Sequence, residues 1–361
     1  MNDYLEQIGQ IEKEIRETPY HKGTEHHIGK LRARLARLKD KILDTTQKSG
    51  GGGGRGFSIK KQGDATIVLI GPPSAGKSTL INRLTNAESK VAPYAFTTVS
   101  VIPGMLNYQD AYIQILDVPG LLEGAKEGRG RGKEVISVAR GADLLLIMTD
   151  VDRPNVLNTL EKELEGAGIR INQYPPKVNI KKDVAGGLNI HSNIKQELSL
   201  QTFKEVAGEF GIKNGEITIN ERLDIESLID SFSTSRVYVP AIFVINKIDT
   251  EGSDNRKNEK LKDFVTISAE SGEGINKLLE TIWLKLNLIR VYLVRPEQEP
   301  SFDNPMVMTT GQALKDLGEK IGTDFLNDKK AAKIWGKNAK FPGQEVSLST
   351  PLHDGMQIRF V

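Results

Sequence analysis

Apolar residues recur every three or four positions in two stretches near the start of the chain, residues 5–15 and 31–42, with a break at Thr18-Pro19. This spacing predicts two amphipathic helices that form a hairpin over residues 1–48. The polar side of the second predicted helix is strongly basic and carries Lys30, Arg32, Arg34, Arg37, Lys39 and Lys41. A face of this kind is either a solvated surface or a contact for RNA or an acidic partner.

Farther along the chain, the apolar positions form short runs that are typical of buried strands. Five consecutive glycines at positions 50–54 cannot hold a helix cheaply, so we predict a linker over residues 49–62. Strand-like runs follow at residues 65–71, 111–118, 143–151, 239–248 and 264–269, with helical stretches between several of them. This alternation predicts a mostly parallel α/β sheet within residues 63–290. Residues 291–361 have short strand-like pieces around one helical segment, which predicts a small α+β domain.

The composition indicates an ordinary globular protein of more than one domain. A length of 361 residues exceeds what one core usually organises. Lys and Arg total 49 against 47 Asp and Glu, so the net charge of +2 gives no global argument for a nucleic-acid or membrane partner. The absence of Cys excludes disulfides and thiolate chemistry. The sequence has no apolar run that could span a bilayer and begins with too polar a segment for a signal peptide, so we expect a cytoplasmic protein without a membrane partner.

Residues 71–78 match the phosphate-loop pattern G-x-x-x-x-G-K-[ST] and lie between a predicted strand and a predicted helix. In such a loop, backbone N–H groups surround phosphate oxygens, and the helix N-terminus adds partial positive charge. We expect Lys77 to meet the β- and γ-phosphates and the Ser78 hydroxyl to ligate Mg²⁺. The predicted phosphate-binding residues are Gly71, Pro72, Pro73, Ser74, Ala75, Gly76, Lys77 and Ser78, together with Gly120 of a later loop.

A second part of the predicted site follows the strand at residues 111–118. Residues 117–120 read Asp-Val-Pro-Gly, where the carboxylate can hold Mg²⁺ directly or through water and the Gly120 N–H can meet the γ-phosphate. Thr98 is the hydroxyl best placed to complete the Mg²⁺ shell and to sense the γ-phosphate. The predicted metal ligands are Ser78, Thr98 and Asp117. The predicted switch residues are Phe96, Thr97, Thr98, Asp117, Val118, Pro119, Gly120 and Leu121.

A base-binding motif stands at the end of the apolar run before residues 246–249, which read Asn-Lys-Ile-Asp. A carboxylate at Asp249 can accept hydrogen bonds from the N1–H and exocyclic amine of guanine, groups that adenine lacks. A site built on such a pattern predicts a preference for GTP over ATP of roughly 10⁴. The predicted base-binding residues are Asn246 at the base edge, Lys247 over the base face, Asp249 as the specificity residue, and Ser268 with Ala269, whose N–H is expected to meet guanine O6.

Taken in order, the phosphate loop, Thr98, Asp-Val-Pro-Gly, Asn-Lys-Ile-Asp and Ser-Ala-Glu resemble those of the translation-factor-related GTPases. The segments FTTVSVIPG and DVPGLLEGAKEGRGRGKEVI are similar to the Obg family within them. The segments TPYHKGTEHHIGKLRARLARLKDKI and PPKVNIKKDVAGGLNI, with the polyglycine linker, resemble its developmentally regulated GTP-binding protein branch. The resemblance covers nearly the whole chain. It implies an α/β P-loop GTPase domain with a mostly parallel sheet, an N-terminal helical hairpin, an inserted small α/β domain at about residues 166–235, and a C-terminal β-grasp (TGS) domain at 291–361.

The resemblance also implies partners and a cellular setting. A TGS domain usually implies contact with RNA or the ribosome, and proteins of this branch typically work with a stabilising partner protein. We therefore expect a monomer that binds GTP and GDP and acts as a molecular switch linked to the ribosome, translation or RNA.

The predicted chemistry lacks one familiar group. Ras-like enzymes orient the attacking water with a glutamine after the Asp-x-x-Gly motif. Here the next residue is Leu121, so we expect hydrolysis at about 10⁻⁴ to 10⁻² s⁻¹. Some related GTPases recruit K⁺ through an Asn in the phosphate loop; Ser74 stands at that place, which leaves K⁺ activation open. Arg129 and Arg131 either stabilise charge in cis or contact a partner, and the glycines around them favour a partner.

Two other functions compete with a hydrolytic switch. One is an RNA- or ribosome-binding scaffold in which nucleotide only regulates docking. The other is a P-loop kinase that acts on a small acceptor. The kinase is disfavoured because residues 246–249 would have no role in it.

Overall fold

The computed structural model describes residues 2–48, 62–85, 92–93, 100–118, 131–250 and 264–361. The chain divides into two compact units. The N-terminal unit combines residues 1–58 with 163–238, and the central unit combines residues 59–162 with 239–361. Within the described ranges, none of the helices has the length and apolar character that a membrane crossing requires.

The elements of the two units are numbered here in chain order. The helices are α1 (Asn2–Glu17), α2 (Glu25–Lys48), α3 (Lys77–Leu84), α4 (Arg131–Arg140), α5 (Val156–Gly166), α6 (Leu200–Glu209), α7 (Ile225–Phe232), α8 (Ile275–Lys285) and α9 (Leu314–Ile321). The first strands are β1 (Ala65–Ile70), β2 (Ala92–Pro93), β3 (Ser100–Tyr108), β4 (Ala111–Asp117), β5 (Leu144–Asp150), β6 (Ile169–Ile171), β7 (Val178–Lys182), β8 (Leu188–Ser192) and β9 (Gly215–Ile219). The later strands are β10 (Val237–Val239), β11 (Ala241–Asn246), β12 (Val265–Thr266), β13 (Leu288–Leu293), β14 (Pro305–Thr309), β15 (Ala331–Trp335), β16 (Gln344–Ser347) and β17 (Gln357–Phe360).

The central unit contains a sheet whose described strands follow the order β12-β11-β5-β1-β4-β3-β2. Strands β12, β11, β5, β1 and β4 run parallel, while β3 is antiparallel to β4 and β2 to β3. Every residue of β1 and β5 is buried, as expected for strands covered on both faces. The mostly parallel sheet predicted from the apolar runs is thereby confirmed. Its parallel strands bring the phosphate loop and residues 246–249 to the same edge.

The C-terminal part of the central unit is a separate mixed sheet in the order β14-β13-β17-β15-β16. It has its own apolar core, in which Leu314 and Leu317 of α9 pack against strand residues such as Val291 and Ile358. An ion pair of 2.7 Å between Lys320 Nζ and Asp64 Oδ1 connects α9 to the segment before β1. The small α+β domain predicted for this region is present.

The N-terminal unit joins the helical hairpin to the inserted segment. α1 and α2 pack through Ile11, Leu31 and Leu38. On its other side, α2 contributes Ala33 and Ala36 to a core formed with α6, α7 and the sheet β7-β9-β8. Strands β6 and β10, near the two ends of the predicted insertion, pair with each other. The sequence predicted the hairpin and the insertion but not that they share a core.

The cations on the basic face of α2 stay partly exposed, and most of them also meet acceptors of α1, α6 or α7 within the N-terminal unit. The contacts are Lys30–Glu205 at 3.1 Å, Arg32–Glu226 at 3.1 Å, Arg37 Nη1 to the Glu209 carbonyl at 2.5 Å and Lys39–Glu12 at 3.5 Å. Arg34 is exposed. A contact of this face with RNA or an acidic partner stays a prediction.

Candidate nucleotide-binding site

The phosphate loop connects β1 to α3 with a backbone that turns sharply twice. Ser74 has φ 61° and Gly76 has φ 90°, both in the left-handed region. A Cβ on Gly76 would lie 2.2 Å from Asn246 Nδ2, and a Cβ on Gly71 would lie 2.2 Å from the Met148 carbonyl oxygen. The two glycines of the motif therefore let neighbouring strands approach the loop closely.

Lys77 folds back over this loop. Its Nζ donates hydrogen bonds to the carbonyls of Gly71 and Pro72, both at 3.0 Å. As the first residue of α3, it brings a full positive charge to a helix N-terminus whose first N–H groups have no intrahelical acceptor. Such an arrangement can bind an anion with several negative oxygens.

Asp117 and Ser78 form the part of the site that fits a divalent cation. Asp117 ends β4, and its Oδ2 accepts a hydrogen bond of 3.2 Å from the Ser78 hydroxyl. Its Oδ1 is buried and has no hydrogen-bond partner among the described residues. Burial raises the pKa of Asp117 above its usual range, although the charge of Lys77 and the hydrogen bond from Ser78 lower it. A hard cation at Asp117 and Ser78 would satisfy the unpaired oxygen and favour the ionised carboxylate.

The described residues hold no group of three or more His, Cys, Asp or Glu that could bind a metal by themselves. A cation at Asp117 would therefore share its coordination with phosphate or water, as Mg²⁺ commonly does. Several predicted switch and partner residues lie outside the described residues: Phe96, Thr97, Thr98, Pro119, Gly120, Leu121 and Arg129. Arg131 begins α4, and its side chain is outside the described part as well. Val118 is buried next to Asp117, and its N–H donates to the Leu69 carbonyl at 3.4 Å.

Asn246 connects the phosphate loop to residues 268–269. Its Nδ2 donates to the Ala75 carbonyl at 2.9 Å, and its Oδ1 accepts from the Ala269 N–H at 2.8 Å. The side chain is buried, with 3% of the residue exposed. The sequence predicts Asn246 at the base edge and the Ala269 N–H at guanine O6, whereas in this structure the Asn246 Oδ1 and the Ala269 N–H bond to each other. The Asn246 amide keeps a second N–H for a ligand.

The other predicted base residues lie near the ends of β11 and β12. Lys247 has φ 65°, and its Nζ lies 3.8 Å from Asp150 Oδ2. Asp249 is exposed at the same strand end. Ser268 is fully buried, and its hydroxyl accepts from the Ser271 N–H at 2.9 Å, which shapes the turn after Ala269. The structure therefore brings the predicted base residues to the sheet edge that also carries the phosphate loop.

The sequence analysis missed three side chains that hold this edge together. Arg83 of α3 donates to the carbonyls of Ala269 and Glu270. Asp150, at the end of β5, pairs with Arg153 at 2.6 Å. The hydrogen bond from Arg153 lowers the pKa of Asp150 below its usual range, against the opposing effect of burial. The available signal was an acidic residue at the end of an apolar strand run, followed three positions later by arginine.

Family models match almost the whole chain beyond the hairpin. A model described as 50S ribosome-binding GTPase matches residues 66–182, and the C-terminal region of the same domain family matches residues 185–288. A TGS domain model matches residues 289–361.

Several curated proteins are similar over nearly their full length. An uncharacterized GTP-binding protein of Methanocaldococcus jannaschii is 43% identical over 357 residues, covering 97% of this chain and 90% of that protein. Developmentally-regulated GTP-binding protein 1 of Xenopus laevis is 40% identical over 365 residues, covering 100% of both chains. Ribosome-interacting GTPase 1 of Saccharomyces cerevisiae is 39% identical over 360 residues, covering 98% of each.

Among solved structures, the YchF GTPase of Schizosaccharomyces pombe is similar with a TM-score of 0.44 at 14% identity, covering 84% of this chain and 99% of that one. The full-length sequence identities of 39–40% and the matches to the GTPase and TGS models together show the family. The chain therefore belongs to the developmentally regulated GTP-binding protein family, GTPases that carry a C-terminal TGS domain.

Proposed function

We propose that this chain is a Mg²⁺-dependent GTP switch that hydrolyses GTP slowly and presents its GTP-bound form to the ribosome or to RNA. The observation that carries the proposal is that the Asn246 side chain connects Ala75 of the phosphate loop to Ala269. Because one side chain connects the phosphate loop to the stretch at Ala269, a single pocket can bind both the triphosphate and the purine.

In this proposal the phosphate loop, from Gly71 to Ser78, binds the β- and γ-phosphates through backbone N–H groups and Lys77. Ser78, Asp117 and Thr98 would hold Mg²⁺, which would neutralise charge on the phosphates. The N–H of Gly120 meets the γ-phosphate. Water forms the new bond to the γ-phosphorus while the bond to the β–γ bridging oxygen breaks, and the proton that the water loses passes to the phosphate oxygens, which yields GDP and phosphate. Leu121 offers no hydrogen bond to orient that water, so turnover is slow without an activator.

The base is recognised by the segments around Asn246. Asp249 accepts from guanine N1–H and the exocyclic amine, and its exposure leaves the carboxylate accessible to a ligand. The Lys247 stem covers the base face. Ser268 and Ala269 complete the pocket.

Nucleotide titration tests the base site. Calorimetry with Mg²⁺ should give far tighter binding of GTP and GDP than of ATP. Asp249→Asn should weaken the binding of GTP and strengthen the binding of xanthosine triphosphate, because xanthine presents an oxygen where guanine has its amine. Asp328→Asn, at another exposed aspartate, is the matched control and should leave both affinities unchanged. Equal affinity of the wild-type protein for ATP and GTP would refute the proposal.

The proposed partner is the ribosome, supported by the 50S ribosome-binding description of the matching family and by the name of the yeast relative. Ribosomes should be sedimented after incubation with GTP-loaded, GDP-loaded or nucleotide-free protein. The largest amount of bound protein should be found for the GTP-loaded form. Recovery that ignores the nucleotide would favour a constitutive scaffold. GTP-dependent docking without any rise in hydrolysis would favour the scaffold in which nucleotide only regulates docking.

The proposal further includes that the protein is a cytoplasmic monomer and works with a stabilising partner protein. The proposed domain limits are those predicted from the sequence: 1–48, 63–290 with the insertion at about 166–235, and 291–361. Arg129 and Arg131 are assigned to a partner contact. K⁺ activation is tested by comparing turnover in KCl and NaCl, where equal rates remove K⁺ from the mechanism.

A further inference from the structure

Asp150 occupies a central place at the ligand edge of the sheet. The strand order β11-β5-β1 puts β5 between the strand that leads to the phosphate loop and the strand that leads to residues 246–249. Asp150 is the last residue of β5 and stands opposite Asn246 in the register of β5 and β11. Its side chain is 4% exposed, so its charge needs partners within the protein.

Arg153 is the first of those partners and also reaches the phosphate loop. Its Nη2 lies 2.6 Å from Asp150 Oδ2, and its Nε lies 3.2 Å from Oδ1, a two-point contact. The same Nη2 donates to the Pro73 carbonyl at 3.1 Å. The turn that carries Arg153 is closed by its N–H to the Asp150 carbonyl at 3.2 Å and by the Thr149 hydroxyl to the Arg153 carbonyl at 3.1 Å.

Lys247 is the second partner of the same carboxylate. Its Nζ lies 3.8 Å from Asp150 Oδ2. Its backbone is in the left-handed region, which costs a non-glycine residue some free energy and requires support from its surroundings. One buried carboxylate thus faces an arginine that holds the phosphate loop and a lysine that belongs to residues 246–249.

We propose that Asp150 and Arg153 are positioning residues that hold Lys247 and the phosphate loop at Pro73 in their nucleotide-binding arrangement. Through this positioning, they control how fast guanine nucleotide dissociates. The inference rests on the proposed function, since it assumes that Lys247 covers the base and that the phosphate loop around Pro73 contacts phosphate. Neither Asp150 nor Arg153 is assigned a contact with the reacting atoms.

The expected effect falls on dissociation more than on chemistry. Without Asp150, Arg153 and Lys247 lose a shared counter-ion, and without Arg153, the Pro73 carbonyl loses its donor. A hydrogen bond to a charged group is worth enough that its loss accelerates dissociation by about tenfold or more. The acceleration should apply to GDP and GTP alike, because both share the base and the β-phosphate. Turnover at saturating GTP should fall by less than about threefold.

The test measures dissociation of fluorescent GDP and GTP analogues from full-length Asp150→Asn, Arg153→Gln and the double variant, by stopped flow with Mg²⁺. Each single variant should release nucleotide about tenfold faster. The double variant should release nucleotide more slowly than the product of the two single effects predicts, because both changes break the same ion pair between Asp150 and Arg153. Arg32→Gln is the matched control: Arg32 is 40% exposed against 41% for Arg153 and also pairs with one carboxylate, in the N-terminal unit. It should release nucleotide at the wild-type rate.

Arg153→Lys separates positioning from a general loss of stability. Lysine keeps the charge beside Asp150 but lacks the planar fork that reaches two groups, so its release rate should lie between those of arginine and glutamine. A lysine variant that releases nucleotide as fast as Arg153→Gln would contradict the ion pair.

Release rates within twofold of wild type in Arg153→Gln would overturn the proposal, and so would effects in the double variant that multiply as independent changes. If Asp150→Asn fails to fold, Arg153→Gln decides, because its side chain is partly exposed. A wild-type protein without guanine preference would refute the proposed function instead, whatever the variants do.

Discussion

The hydroxyl of Ser78 donates to Oδ2 of Asp117 at 3.2 Å, while Oδ1 of the same carboxylate is buried and unpaired among the described residues. Because burial raises the pKa of Asp117, its ionised form is unfavourable in the folded protein without a cation. The stability of the nucleotide-free protein should therefore fall as the pH rises from the usual aspartate pKa through the raised one.

Asp117→Asn removes this buried charge. We expect it to raise the Tm of nucleotide-free protein by about 2 °C, which corresponds to roughly 1 kcal/mol for a domain of this size. We also expect it to abolish the additional Tm increase that GTP gives with Mg²⁺ over GTP with EDTA. Thermal unfolding of wild type and variant without nucleotide, with GTP and Mg²⁺, and with GTP and EDTA checks both effects. A variant that keeps the Mg²⁺-dependent increase would exclude Asp117 from the metal site.

Asn246→Ala should damage both stability and binding. It leaves the buried Ala75 carbonyl and the Ala269 N–H without their partner, which costs about 2–3 kcal/mol in the free energy of unfolding. GTP affinity should fall at least tenfold, since the two loops are no longer held together. Urea unfolding and calorimetry measure the two effects. Asn193→Ala, at an exposed asparagine bonded to Asn220 at 2.6 Å, is the matched control and should change neither measurably. Normal GTP binding by Asn246→Ala would show that this connection is dispensable.

The sequence predicted the parts of the site that are local in the chain. The phosphate loop is a contiguous motif, and the buried strands are contiguous apolar runs, so spacing alone located them. The contact of Asn246 with Ala75 joins residues 171 positions apart, and no periodicity encodes it. The sequence could therefore place Asn246 at the correct sheet edge but not show that its amide connects the two loops.

The same limit explains why the sequence did not reveal the ion pairs of the basic face. A row of cations on one side of a predicted helix looks the same whether acids elsewhere in the chain approach it or not. The partners of Lys30 and Arg32, Glu205 and Glu226, come from the inserted segment. One residue of the sequence does indicate that α2 and α6 approach closely. Position 29 is glycine, and a Cβ there would lie 3.0 Å from Thr202 Cγ2.

Replacement of Asp230 should lower the stability of the N-terminal unit strongly, because two arginines share its carboxylate. Arg170 binds both of its oxygens, Arg236 Nε donates to Oδ1 at 2.7 Å, and Arg236 continues to Asp40 of α2 at 3.1 Å. Asp230→Ala leaves two largely buried guanidinium groups without their shared carboxylate, which should lower the free energy of unfolding by about 3–5 kcal/mol.

Asp224→Ala is the comparison for Asp230→Ala. Asp224 caps α7 through a bond of 2.7 Å to the Ser227 N–H, and losing such a cap costs about 1 kcal/mol. Urea unfolding followed by far-UV circular dichroism should rank the two variants in this order. Equal losses would mean that solvent replaces the carboxylate of Asp230.

Glu25 gives the N-terminal unit a defined acid sensitivity. Burial by itself would raise its pKa, but hydrogen bonds from Lys22, the Ser199 N–H and Thr202 lower the pKa of Glu25 to about 2. Because the folded-state pKa is below the unfolded one, the stabilisation is complete above about pH 4.5 and is lost as the pH falls toward 2. The loss amounts to at most about 3 kcal/mol.

The measurement compares urea midpoints at pH 6 and pH 3 for wild type, Glu25→Gln and Glu17→Gln. Glu17 is an exposed glutamate 3.9 Å from Lys13, so its variant should follow the wild-type pH dependence. Glu25→Gln should be less stable than wild type at pH 6, because a neutral amide cannot replace the carboxylate that α6 and Lys22 bind. At pH 3 the difference should shrink, because wild-type Glu25 is then losing part of the same stabilisation. A difference that stays constant between the two pH values would mean that the depressed pKa of Glu25 does not contribute to the acid sensitivity of this unit.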